Sequence, residues 1–248
     1  MSTSTAPTPA TSLPGFRRIC RQLASAVLGC AAALTLAGTA SAANLLRIES
    51  GRANVATFLL QGPILGGELK LVQTAVAKLP AGTSIAMILD STGGDLHEGL
   101  SLGAFFYDTK IATIVKGDGG VCLSACAMAF LGGRDSRTGE RMRIKMSGGK
   151  LGFHQFRKAA FDPLKIYTLA DHDEQVAETQ RVTNHVVLYL QYIREDLTKL
   201  QLMLRAPADG MNFISNEDCP AQGFSVLDQA TGRTIDAPAG RQRVSSLN

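Results

Sequence analysis

Ser124 stands in Gly119-Gly120-Val121-Cys122-Leu123-Ser124-Ala125-Cys126-Ala127, between a glycine turn and a run of small apolar residues. A strand-to-helix turn of this composition puts a hydroxyl at a helix N-terminus and aims the next backbone N–H, that of Ala125, at an oxyanion. Acyl transfer with Ser124 as nucleophile is the chemistry it suits. The plain alternative is a serine capping a buried helix. A second turn, Asp90-Ser91-Thr92-Gly93-Gly94, closes a strand-like run and opens another helical segment. Bare glycine amides approach a ligand closely. Gly94 N–H and Ala125 N–H would form a two-donor oxyanion hole if adjacent strands bring the two turns together; otherwise Gly93-Gly94 is an ordinary loop.

A nucleophilic serine needs a base. His154, in Leu151-Gly152-Phe153-His154-Gln155-Phe156, sits between apolar residues at the end of a short strand-like run. It is the candidate general base, against the plain reading of a buried, satisfied histidine. His97, His172 and His185 fall on helical segments away from the serine turn and receive no role. The run Asp171-His172-Asp173-Glu174 matches no established ligand spacing and reads as a solvated helix face, so no metal is expected. Lys150 would be the base of a Ser-Lys pair, a weaker reading beside His154. No cofactor is expected, and no nucleotide-binding loop is present in the sequence.

These residues need elements to hold them. Asn54 to Gln61 is a β-rich run, Glu68 to Leu79 is apolar at helical spacing, Ile85 to Leu89 reads as a buried strand and Leu96 to Tyr107 as a helix. Ile111 to Val115 repeats the strand, and after the turn at Gly117 to Gly120 the segment Ser124 to Leu131 suits a buried helix. Strands alternating with helices predict βαβ units and an α/β fold with a sheet buried on both faces. Arg134 to Lys150 reads as a loop or irregular hairpin before a short strand at Leu151 to Gln155. Pro163 to Leu204 reads as one helical run with Val182, Val186, Tyr189, Leu190, Ile193, Leu197, Leu200 and Leu204 on its apolar face. The last recognisable element runs from Asn216 to Phe224. Residues 229–248 read as a loose tail.

Arg17, Arg18 and Arg21 precede the apolar run Leu23 to Leu36, and small residues follow at Gly38 to Ala43. This is the pattern of a secretory signal, residues 1–42, cut after Ala40-Ser41-Ala42 or one residue later. Rival readings are a lipoprotein site at Val27-Leu28-Gly29-Cys30 and a retained anchor, although the run is shorter than the ~20 residues of a spanning helix. Residues 43–228 then suit one domain, periplasmic, with no membrane segment after signal removal. The formal charge is +4, and three of the positive charges are the signal arginines, which leaves the mature chain near +1. Nucleic-acid binding gains no support from that balance. Cys122, Cys126 and Cys219 remain in a compartment where disulfides persist, and an odd number means one bridge and a free thiol, or no bridge.

The chain resembles the proteolytic subunit of Clp protease, within the wider Clp/crotonase superfamily, over roughly Asn54 to Asp228. Gly62-Pro63-Ile64 is similar to that family's early strand-end turn, Asp90-Ser91-Thr92-Gly93-Gly94 to its Asn-Ser-Pro-Gly-Gly turn, and Tyr107-Asp108-Thr109 to the end of the next helix. Ser124 falls on its nucleophile and His154-Gln155 on its His-Gln pair. Phe213-Ile214-Ser215, Gly223-Phe224 and Asp228 resemble its closing segment. The chain departs from the family at Thr92, which replaces proline, in a longer Ser-to-His spacing, and in the cysteines bracketing the serine. The Cys-x-Ser-Ala-Cys form is similar to a group of exported Clp-like proteins.

The resemblance implies stacked βαβ units with a long projecting helix, a homo-oligomer, and a serine hydrolase acting on peptide or protein. It also places a third triad member near Asp209, which lies shortly before Phe213. Strict spacing falls on Met211, Asn212 is an alternative amide, and Asp209-Gly210 has turn chemistry of its own. Export removes the ATP-driven unfoldase, so ATP dependence and an ATPase partner are not expected. A catalytically silent oligomeric binding protein and a small-ester or acyl hydrolase remain the alternatives, because a fold hosts many functions. Cys219 is expected to bond Cys122 or Cys126, the closing segment packing near the nucleophile helix.

Overall fold

A computed structural model describes residues 42–49, 51, 54–155, 167–207 and 210–237, all within the contact unit Ala40–Asn248. Strand β1 (Asn44–Ile48) runs antiparallel to β2 (Val55–Gln61), and β2 pairs in parallel with β3 (Ser84–Asp90). Helix α1 (Glu68–Val76) joins β2 to β3, and α2 (Leu96–Thr109) joins β3 to the parallel strand β4 (Ala112–Val115). Burial alternates along β2, β3 and β4, with Phe58, Leu60, Met87, Leu89 and Val115 inward and their neighbours half-buried. Neither face of these strands lies open, as in a parallel sheet flanked by helices.

From β4 the chain makes strand β5 (Val121–Leu123) and turns at Ser124 into α3 (Ala125–Phe130), buried at every residue. Strand β6 (Arg143–Met146) returns beside β4, while β7 (Lys150–Phe153) pairs in parallel with β5. Helices α4 (Leu169–Tyr192) and α5 (Thr198–Leu204) follow. Then β8 (Asn212–Phe213) joins β7, a 3-10 turn covers Pro220–Gln222, β9 (Ser225–Leu227) joins β6, and β10 (Thr234–Ile235) joins β9. The main sheet has the order β1-β2-β3-β4-β6-β9-β10, and a smaller one the order β5-β7-β8. The fold class is therefore α/β with a mostly parallel central sheet.

Three expectations change. The segment Arg134 to Lys150, read as a loop or hairpin, contains β6, a strand of the main sheet. Its inward residues are Arg143 and Lys145, so it lacks the apolar pattern that marks a strand. The single helical run to Leu204 divides after Tyr192. Arg194 takes φ 52°, its N–H donates to the Gln191 carbonyl, and the Glu195 N–H donates to that of Leu190, which is a Schellman ending. Glu195 then turns inward to Arg141, at 2.9 Å, and to Arg143. The stretch expected to begin a loose tail instead forms a hairpin. The Asp228 carboxylate accepts from Ala230 N–H at 2.9 Å and Thr231 N–H at 3.1 Å, and β10 returns along β9.

The N-terminal half of α4 is largely exposed, and burial resumes at Val186, Tyr189 and Leu190. Among the described residues no helix is long and apolar enough to cross a membrane. The export signal expected over residues 1–42 lies outside the described residues, except for Ala42.

Candidate active site

The two glycine turns meet because β3 does not stop pairing at Asp90. Ser91 N–H donates to the Val121 carbonyl at 2.6 Å and Leu123 N–H to the Ser91 carbonyl at 3.0 Å, an extra rung that ties the end of β3 to β5. The Asp90 carboxylate fixes the same corner, accepting from Lys116 Nζ at 2.7 Å, Gln61 Nε2 at 2.8 Å and Val121 N–H at 3.1 Å. Burial alone would raise the Asp90 carboxyl, but these donors and the Lys116 charge hold it below the usual carboxylate range.

Gly93 is thereby pressed against the serine turn. At φ 87°, a Cβ on Gly93 would lie 2.8 Å from the Ser124 Cβ and 3.0 Å from the Ala125 nitrogen. On its other side the turn pairs with Ile64, whose N–H donates to the Gly93 carbonyl at 2.9 Å while Asp95 N–H donates to the Ile64 carbonyl at 2.7 Å. That ladder leaves the Gly94 amide out. Among the described residues neither Gly94 N–H nor Ala125 N–H makes a hydrogen bond, so both donors of the expected oxyanion hole are uncommitted.

Ser124 itself has φ 57° and ψ −121°, a conformation disfavoured for any residue with a Cβ. Its N–H donates to the Gly152 carbonyl of β7 at 3.0 Å, and its carbonyl accepts from Met128 N–H at 3.1 Å, the first turn of α3. Helix α3 sits tightly on α2 because Gly99 has no side chain there; a Cβ would lie 2.5 Å from the Ala125 carbonyl oxygen.

His154 follows the last residue of β7, which runs beside β5, so the sheet delivers it to the serine. Nε2 of His154 is 2.6 Å from Ser124 Oγ, and Nδ1 is 2.5 Å from the Gln155 carbonyl oxygen. A carbonyl only accepts, so Nδ1 carries the proton, and Nε2 is the acceptor for the serine hydroxyl. The Gln155 side chain donates to the Ala206 carbonyl at 2.9 Å, anchoring that peptide to the end of α5. Both Ser124 and His154 are half-buried.

Asp209, expected as the third member, lies outside the described residues. Asn212 is in β8 opposite Phe153, and its amide donates to the Leu202 carbonyl at 2.7 Å. Lys150 is exposed at the start of β7 and is not brought to Ser124 in any hydrogen bond. Among the described residues no group of three or more metal-binding side chains gathers.

The expected bridge to Cys219 is not formed. Cys122 is bonded to Cys126, and Cys219 is a buried free thiol whose surroundings push it up to about 11 through burial. The chain reverses at Ser124, leaving the Cα atoms of Cys122 and Cys126 5.1 Å apart, inside the bridging range of about 4.4–6.8 Å. Sequence reasoning also missed the Gln155 carbonyl, which as a backbone group leaves no mark in residue type. Compared with known proteins, the chain matches no family model and no curated protein.

Proposed function

We propose that this chain is an exported, periplasmic serine hydrolase of the Clp/crotonase type, acting on peptide or protein without ATP and assembling as a homo-oligomer. The observation that carries the reading is the 2.6 Å contact of Ser124 Oγ with His154 Nε2 at a positive-φ strand-to-helix turn. With Nδ1–H held by the Gln155 carbonyl, the free lone pair of Nε2 takes the serine proton as Oγ attacks an acyl carbon. The oxyanion accepts from Gly94 N–H and Ala125 N–H, donors fixed before the reaction begins. His154 returns the proton to the leaving group, and a water activated by the same imidazole releases the acyl group. The order of motifs quoted above supports the peptidase assignment over other acyl transfers.

Labelling of the mature protein with a fluorophosphonate tests this, with Ser124→Ala and His154→Ala as comparisons. Covalent adduct on Ser124 that needs His154 is the expected result. Equal labelling of wild type and Ser124→Ala, or none in folded protein, would sink it.

A further inference from the structure

The disulfide between Cys122 and Cys126 closes a ring of chain that contains Ser124 and the Ala125 amide and little else. Loop-closure stabilisation grows with the number of residues enclosed. A link across a sequence separation of 4 is therefore near the weakest possible brace for the fold as a whole. Its leverage is local. Cys122 is fixed on one side, buried in β5, paired with Leu151 and bridged to Ser91. Cys126 is fixed on the other, fully buried in α3. Between them Ser124 holds φ 57°, which a non-glycine residue keeps only when its surroundings over-determine it.

We propose that the Cys122–Cys126 disulfide is a positioning device for the nucleophile. It holds Ser124 in its positive-φ conformation, which keeps Oγ on His154 and leaves the Ala125 N–H uncommitted. The pair touches neither substrate nor reacting atoms and acts through the backbone of Ser124. This rests on the serine hydrolase reading and adds that the oxidised form is the competent one. In the reduced chain the first turn of α3 and the end of β5 relax independently, and the hydroxyl leaves the imidazole.

The test compares fluorophosphonate labelling and p-nitrophenyl acetate turnover in oxidised wild type, in Cys122→Ala/Cys126→Ala, and in wild type treated with dithiothreitol. In the last, two electrons and two protons pass from the dithiol to the disulfide, giving two protein thiols and the cyclic oxidised reagent, and a thiol count follows the conversion. Misplacement of a reacting atom by about 1 Å costs up to roughly 10²-fold. Labelling and kcat are expected to fall roughly 10–100-fold on that basis, with KM and circular dichroism little changed. Equal rates in all three forms would overturn the inference and leave the hydrolase reading standing. Folded, oxidised wild type that takes no label would sink both. Should the double variant fail to fold, reduced wild type decides: slow labelling in a folded chain supports positioning, whereas unfolding on reduction makes the link a brace of the fold and overturns it.

Discussion

The Nδ1 atom of His154 faces the carbonyl oxygen of Gln155 at 2.5 Å, so the residue that orients the imidazole is its own neighbour in the chain. A single N–H needs a single acceptor, and this one is already supplied by the backbone. Asp209→Ala is therefore expected to lose far less turnover than the ~10⁴-fold cost of removing an orienting carboxylate from a triad. Gln155→Ala, which frees the carbonyl from its anchor at Ala206, is expected to lose roughly 10–100-fold in kcat with little change in KM. Steady-state kinetics on a common ester compare the two variants. A collapse of turnover in Asp209→Ala alone would assign the orienting role to the carboxylate.

Glu195 lies under β6 as the shared partner of Arg141 and Arg143, with side chains 2% exposed for Glu195 and 0% for Arg143. Arg143 Nη1 meets Glu195 Oε2 as an ion pair inside the protein. Removing one partner of a buried pair leaves the other charge uncompensated. Glu195→Gln is expected to cost about 3–5 kcal/mol in urea unfolding, by the behaviour of such pairs. Burial alone would raise the Glu195 carboxyl, but the Arg143 and Arg141 charges hold it below its ordinary value. Its contribution is thus present in full above the unfolded carboxyl pKa of about 4.3 and is lost as pH falls through the lower folded value. Wild type should lose melting temperature on acidification below about pH 4. Glu195→Gln should show a shallower decline.

The same ion pair explains what the sequence hid. β2 and β3 were legible because each is a short run of apolar, β-forming residues, and α2 because it opens straight after the Gly93-Gly94 turn. β6 was not, because Arg143 and Lys145 occupy its inward positions and their partners, Glu195 and Asn216, stand far off in the chain. Of the site, the serine turn, the glycine turn and His154 could be read from residue type and local context. The carbonyl on Nδ1 and the Cys122–Cys126 link could not, since both follow from how the backbone reverses.

At the corner between β3 and β5, Lys116 is more than a third exposed, so its ion pair with Asp90 counts for little. The weight rests on the Val121 N–H and on Gln61, which the Asp90 carboxylate also accepts from. Asp90→Ala is expected to destabilise by about 1–3 kcal/mol, the cost of stranding a partly buried donor. Lys116→Met should change stability much less. Urea midpoints of the two variants make the comparison, and equal losses would put the weight back on the ion pair.

Gly93 supplies the contact on which the geometry of the two turns depends. Its φ of 87° is strained for a residue with a Cβ, and an added Cβ would meet the Leu123 carbonyl, the Ser124 Cβ and the Ala125 nitrogen. Leu123 is held by its N–H bond to the Ser91 carbonyl, Ser124 by its N–H bond to Gly152, and the turn between them by the Cys122–Cys126 link, so in the oxidised chain the serine side yields less readily than the glycine turn. The turn must yield instead, and Gly94 moves with it. Gly93→Ala is therefore expected to impair reaction more than folding, because the displaced segment is a loop while the displaced amide is the proposed oxyanion donor. Loss of one such donor costs about 10²–10³-fold in kcat, and Gly93→Ala should fall in that range on any ester the wild type cleaves. Gly82→Ala provides the control: it too stands at positive φ, 79°, but an added Cβ there meets nothing within 4 Å. That variant should carry the backbone strain and keep its turnover. Equal turnover in the two variants would remove Gly94 from the oxyanion hole, and with it the reason for the two turns to meet.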